Sequence, residues 1–402
     1  VVYRRHTNFS MECIKQSFKG SAGNNARVVA TLARNGDLVH DCFLKSVINV
    51  IADDTHIINP GHIIINSIEC EIGGQLVDKH YGHWLEVHSQ LTEEVHPGHH
   101  LAEDTTVSAT LIGEGTDSSN LNNYQKMAYA GGIKFPSGGN ASGQIMYVPL
   151  RFWFNRHVGL SLPLIALQYH EVNINVVFSG CYSNVANKTE LWCNYIYLDT
   201  DERRRFAQVS HEYLIEQLQL NTFNTSGADT SVTVGLNFNH PVKELIWINL
   251  ESNIPWGTAS KTSAESNLLG SGILGTYGNI SDGDAQVYSS NTTVELKLNG
   301  HDRFEKHNID YFTRYQPYKH HNSAGGYNHD NNDTIAVYSF ALKPNEHQPS
   351  GTCNFSRIDN SQLIFNNLKA NPSGAGKIYH LYAINYNVLR IMSGMGGLAY
   401  SN

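Results

Sequence analysis

A chain of 402 residues, 41% of them apolar and only 16% charged, is long enough for two cores of about 200 residues each. Its 28 basic and 36 acidic side chains leave a net charge of −8 with no long basic block, which argues against nucleic acid as the main partner of its surface. Six cysteines (Cys13, Cys42, Cys70, Cys181, Cys193 and Cys353) are scattered without a CxxC pair, so they read as free thiols of a reducing compartment rather than a disulfide framework or zinc site.

In chain order, Phe9–Phe18, Val28–Leu32 and Ile68–Ile72 alternate apolar and polar residues between Gly, Asn, Asp or Pro, the pattern of half-buried strands. Helical spacing follows at His80–Leu91, where Trp84, Val87, His88 and Leu91 share one face. Loops are predicted at about 85–145. Val148–Phe178 (VPLRFWFNRHVGLSLPLIALQYHEVNINVVF) holds two buried, strand-forming runs flanking a turn on Gly159 and Pro163. Arg151, Asn155, Arg156 and His157 break its apolar stretch, and no membrane-spanning helix is predicted. Leu198 closes a strand, the charge run Asp199–Arg205 (DTDERRR) reads as a solvated linker or interface with internal acid–arginine pairing, and His211 starts a new strand. Further strands are predicted at Val232–Phe238 and Val294–Leu298, with loops at about 251–290 and 316–334. The glycines of SGMGG (Ser393–Gly397) predict a tail packed against neighbouring backbone.

The chain matches itself. Val28–Leu44 aligns with Val232–Ile248 at an offset of 204, His6–Phe18 with His211–Phe223 at 205, Ile68–Gln75 with Val294–His301 at 226, and Tyr197–Phe206 with Ala383–Met392 at 186. Constant order with drifting offsets predicts one β unit duplicated, with different loop insertions. The halves are placed at residues 1–205 and 206–402, as two β-sandwiches in tandem.

Chemical motifs are missing. HEVNI (His170–Ile174) and HEYLI (His211–Ile215) lack the second histidine of HExxH, no HxH pair exists, and the clusters His80/His83/His88, His96/His99/His100 and His320/His321/His329 read as loop or interface histidines. GAGKI (Gly374–Ile378) lacks the spacing and hydroxyl of a P-loop, and no GxSxG elbow occurs. No catalytic residue, cofactor or metal site is assigned. Eight N-x-S/T sequons are hardly more than the five or so that this composition gives by chance. Of these, Asn8 and Asn354 fall in predicted strands, and Asn140, Asn279, Asn291 and Asn332 in predicted loops are the candidate glycan sites.

YRRHTNF (Tyr3–Phe9), the 148–178 segment, HEYLIEQLQL (His211–Leu220), FSRIDNSQLIF (Phe355–Phe365) and NYNVLRIMSGMGGLAYSN (Asn385–Asn402) together resemble the major capsid proteins of nucleocytoplasmic large DNA viruses, especially those of algal phycodnaviruses. The resemblance covers nearly the whole chain. It implies an all-β fold of two tandem eight-stranded jelly rolls with long loops and few short helices. The implied function is structural: homotrimeric, pseudo-hexagonal capsomers tiling the icosahedral shell of a large double-stranded DNA virus, assembled in the host cytoplasm. Implied partners are neighbouring capsomers, minor capsid and penton proteins, and an internal membrane reached through minor proteins. Family members carry an extra segment before YRRHTNF, so the chain is expected to lack part of its natural N-terminus. Arg203, Arg204, Arg205, Arg390 and Tyr400 are the candidate trimer or interdomain contacts. The alternative is a carbohydrate-binding β-sandwich, on the strength of Trp153, Trp192, Trp247, Trp256 and 21 tyrosines, for which core packing is the competing explanation.

Overall fold

The alternating segments pair antiparallel in one strand order that occurs twice. The computed structural model describes residues 8–49, 56–93, 122–131, 134–135, 143–251, 256, 268–269, 288–322, 335–368 and 376–400. In the first half the main strands are β1 (Phe9–Gln16), β2 (Arg27–Thr31), β3 (Leu38–Ile48), β4 (Ile65–Ile72), β5 (Gln75–Tyr81), β6 (Ile145–Pro149), β7 (Val172–Phe178) and β8 (Ala186–Leu198). They form two sheets, β1-β8-β3-β6 and β2-β7-β4-β5. In the second half they are β9 (His211–Thr225), β10 (Ser231–Gly235), β11 (Pro241–Glu251), β12 (Tyr288–Leu298), β13 (His301–Asp302), β14 (Ala336–Ser339), β15 (Ser361–Leu368) and β16 (Lys377–Met392). Their sheets are β9-β16-β11-β14 and β10-β15-β12-β13, the same order again, and β17 (Met395–Leu398) folds back on β16. Eight strands in two such sheets make a jelly roll.

Register tests the duplication residue by residue. Val28 pairs with Val176 and Val176 with Ile68, while Val232 pairs with Phe365 and Phe365 with Val294. All of these face a core, so the offsets 204 and 226 hold in the sheets. The two matched motifs are hairpins of one kind. Their turns, Gly73-Gly74 and Asn299-Gly300, have positive φ at both central positions, as a tight two-residue hairpin needs.

In the other sheet the inward residues Val39, Cys42 and Leu44 correspond to Val242, Leu245 and Trp247, so the offset is 203 from β3 onward. The connection from β10 to β11 is one residue shorter than its counterpart, and carrying 204 through would turn every side chain to the wrong face. Leu44 pairs with Leu191 and Trp247 with Leu381, which sets β16 at 190 from β8 rather than 186. Gln16 and Asn221 pair with those same residues, which preserves 205 for the outer strands.

Three predicted elements differ. The solvated segment Asp199–Arg205 is not irregular chain: Asp199 is the N-cap of helix α3 (Thr200–Gln208), which joins the halves without a buried residue, with Asp201 and Glu202 in its first turn and Arg205 in its last. That order complements the helix dipole. The RFWF run is not a strand, because Phe152, Trp153 and Phe154 are all buried and consecutive strand residues cannot all face one way. A helical turn at Trp153–Arg156 turns them inward, and Asn155 Nδ2 donates to the His40 carbonyl at 2.5 Å. Strand β1 is exposed along most of its length, including Phe9 and Met11, because it is a sheet edge where Ile14 alone among its apolar side chains packs on the core. The helical reading at His80–Leu91 becomes α1 (Gly82–Thr92), directly after β5. A second short helix, α2, spans Asn123–Ala128.

Candidate functional site, the seam between the sandwiches

The central strands β16 and β11 of sheet β9-β16-β11-β14 bury side chains on both faces. Leu245, Trp247, Leu381 and Ala383 point into their own sandwich, while Ile246, Ile248, Tyr382 and Ile384 point to the first half and meet Trp84, Val87 and Leu91 of α1. The spacing i, i+3, i+7 sets those three on one helix face. Farther along, Ile215, Leu389 and Ile391 belong to the first sandwich's core. Helix α1 is held by buried polar groups: Glu86 accepts from Gln90 Nε2 at 2.7 Å and from the Gly131 N–H at 3.1 Å, and lies 2.6 Å from His62 Nδ1.

Histidines line this seam. The His83 ring of α1 stacks on His380 of β16, centroids 4.3 Å apart and planes within 3°, and bonds the Tyr382 hydroxyl. Burial pushes His83 well below the usual imidazole range, with His380 adding to it, and burial takes His380 down to about 4. His88 is likewise lowered by burial and then by Arg156 and Arg151. Both seam partners are therefore neutral at pH 7.

Beside the apolar contact lies a charged cleft of about 350 Å³, lined by α1, by residues 151–156 and by β11. At its margin Glu216 receives Arg156 Nη1 at 2.5 Å and lies 2.9 Å from Lys243 Nζ, which also donates to the Pro344 carbonyl at 2.6 Å. Lys243 is 2% exposed and Glu216 7%, so the cation is buried against its partner. His321 Nε2 sits 3.0 Å from Glu244 Oε2, at ion-pair distance but without hydrogen-bond alignment. Burial alone would raise the Glu244 carboxyl, but His321, Lys243 and Arg156 hold it below its ordinary value.

The tail closes the seam. The Tyr169 N–H donates to the Gly394 carbonyl at 2.9 Å and the Gly396 N–H to His170 Nδ1 at 3.1 Å. A Cβ on Gly396 would stand 2.7 Å from Leu167 Cδ2, so the close approach expected of these glycines is present.

The candidate contacts separate into groups. Arg203 Nε pairs with Asp37 at 2.9 Å and ties α3 to the first sandwich, while Arg204 and Arg205 are exposed. Arg390 pairs across the sheet with Glu212 at 2.8 Å, and the exposed Tyr400 gives its carbonyl to Asn387. Asn291 is exposed in β12, whereas Asn140, Asn279 and Asn332 lie outside the described residues, as does most of the three predicted loops. Asn8 precedes β1 at a bend, and Asn354 sits in the short strand Cys353–Asn354.

Among the described residues no three His, Cys, Asp or Glu side chains are placed to hold a metal ion. His80 pairs with Asp78 at 3.0 Å and stacks on Phe152, and His320 bonds the Leu342 carbonyl at 3.2 Å. His96, His99, His100 and His329 lie outside the described residues. Trp153 and Trp247 are core residues, and Trp192 donates to Glu190 beside Lys45, so packing accounts for them. The sequence missed the His83–His380 stack and the Glu216–Lys243–Arg156 network. Their members are far apart in the chain, and only the helical face with Trp84 hinted at a second packing surface.

Two eight-stranded sandwiches of one order in a single chain define a double jelly-roll protein. Residues 1–199 match the family model described as major capsid protein N-terminus, and residues 202–397 that of large eukaryotic DNA virus major capsid protein. The major capsid protein of Pyramimonas orientalis virus is 42% identical over all of this chain and 93% of its own length, and that of Paramecium bursaria Chlorella virus 1 is 37% identical over 100% and 93%. The PBCV-1 VP54 crystal structure aligns over 100% of this chain and 99% of its own with a TM-score of 0.76 at 34% identity. The Faustovirus major capsid protein shares the fold at a TM-score of 0.65 and 12% identity, over 97% and 92%. The chain belongs to the major capsid proteins of nucleocytoplasmic large DNA viruses. It is a structural subunit of a virion shell and not an enzyme.

Proposed function

We propose that three copies form a capsomer with a nearly hexagonal outline, and that these capsomers tile an icosahedral shell. The observation that carries this is the strand order repeated within one chain: three chains supply six similar sandwiches, enough for a six-neighbour lattice position. Each first sandwich would meet the next chain's second sandwich, a heterologous contact that closes after three steps. Such an obligate contact buries on the order of 2,000–5,000 Å². The exposed Arg204 and Arg205 on α3, with Tyr400, are our candidates for it, and the division into 1–205 and 206–402 places the unit boundary within α3.

Neighbouring capsomers, minor capsid and penton proteins, and through minor proteins an internal membrane, complete the proposed partners, with assembly in the host cytoplasm. Asn140, Asn279, Asn291 and Asn332 are proposed to carry glycans on the outward side. Native mass measurement should give a dilution-stable trimer of the 44.8 kDa chain. A dilution-stable monomer or dimer overturns the proposal.

A further inference from the structure

Cys42 of β3 and Cys193 of β8 are directly opposed in the antiparallel register, and their sulfurs are 3.0 Å apart. Both side chains belong to the interior of the first sandwich, 1% and 0% exposed. The Cys42 carbonyl accepts from the Leu150 N–H at 2.8 Å, on the β6 side of the strand. The N–H and carbonyl of one strand residue point the same way, so Cys42 turns its hydrogen bonds away from β8, and the cysteines form a non-hydrogen-bonded pair. Opposed residues of that kind have Cα atoms about 4.5 Å apart and side chains leaning together, within the span a disulfide bridges. The register shifts immediately beyond Cys193, and such an irregularity lets the two strands adjust locally.

We propose that Cys42 and Cys193 are an oxidation site, closed to a cross-strand disulfide by a small hydroperoxide after the shell leaves the reducing cell. One thiolate attacks the peroxide, breaks the O–O bond and becomes a sulfenic acid as hydroxide leaves. The second thiolate attacks that sulfur, the S–S bond forms and a second hydroxide leaves. The two thiol protons convert both hydroxides to water, so two thiols and one hydrogen peroxide give one disulfide and two waters. The thiol pair is oxidised and the peroxide reduced.

No other cysteine is paired in register with a second one. Cys70 is buried in the same core but sits in the facing sheet opposite Ile174, Cys181 bonds the Ser179 hydroxyl, Cys13 sits opposite Asn194 and is exposed, and Cys353 lies in the second half. Burial, with the hydrogen bond it shares with Cys42, holds the Cys193 thiol well above its ordinary value. The reaction is therefore slow at neutral pH and quickens in alkali. Both sulfurs are closed off from solvent, so peroxide reaches them only when the strands open locally, which slows the reaction further.

The test treats the purified full-length protein with hydrogen peroxide at pH 7 and pH 8.5, blocks remaining thiols after denaturation and maps peptides without reduction. A Cys42–Cys193 linked peptide, formed faster at the higher pH, is expected. It should raise the thermal midpoint by roughly 5–10 °C, reversibly with dithiothreitol. Cys193→Ala should show neither link nor shift. If that variant does not fold, wild-type mapping and its reversal by reductant decide alone. Both thiols still alkylated after peroxide has oxidised Cys13, a sulfinic acid at either one, or a link to a different cysteine overturns the proposal. The inference concerns the first sandwich only, and its failure leaves the trimer untouched.

Discussion

Acid should loosen the seam through His380. Its imidazole falls from 6.5 in the unfolded chain to about 4 in the folded one, because burial against His83 and Tyr382 disfavours the charged form. Between those values the unfolded chain binds more protons than the folded one, so stability is full above about 6.5 and declines as pH falls. From these two values the loss is about 2 kcal/mol at pH 5 and about 3 kcal/mol by pH 4. His83 and His88 act in the same direction, and a proton on His83 would face one on His380 across 4.3 Å. The groups facing the stack are Tyr81, Tyr382 and Trp256, with Thr222 bonded to His380 Nδ1, and none carries a negative charge at these pH values. Urea unfolding followed by tryptophan fluorescence at pH 7.5, 6 and 5 measures the effect, since Trp84 and Trp256 sit at the seam. His380→Gln should be less stable at pH 7.5 and show a flatter dependence on pH. A wild-type midpoint unchanged between pH 7.5 and 5, or a variant as acid-sensitive as the wild type, refutes the reasoning.

Two further outcomes are expected. Glu216→Gln leaves Lys243 buried without its counter-charge and should cost about 3–5 kcal/mol in chemical denaturation, whereas Glu212→Gln, at an exposed pair, should cost under about 1 kcal/mol. Gly396→Val should lift the tail from Leu167 and Ile72, seen as faster amide exchange at Tyr169 and Gly396 with the second sandwich's core protection unchanged.

The duplication was legible because paired strands keep their residue types: the hairpins at Gly73-Gly74 and Asn299-Gly300 announce themselves by turn chemistry, and Val28/Val232 by alternation. The last strand was placed four positions off because Asp199–Arg205, a helix in one half, was laid against Asn385–Ile391, a strand in the other. The helix had its own signal in acids before arginines. Leu198 and His211 closed and opened their strands where expected. The seam was not legible, since apolar residues such as Ile246 and Ile248 say only that they are buried, not that the far face of their sheet has an owner. Its histidines read as loop or interface residues, and that His83 belongs to an interface is decided only by contact between segments nearly 300 positions apart.

The final strand, folded back between Leu167 and Ile72 on one side and β16 on the other, has a consequence for synthesis. A nascent chain that has completed its first sandwich still presents the α1 face and the surface awaiting Ile215, Leu389 and Ile391 to solvent. Within the second sandwich it is strands β16 and β17, made after the other strands, that cover the remaining ground. A chain interrupted before β16 therefore keeps apolar ground of its first sandwich exposed, so burial of that sandwich waits on completion of the second.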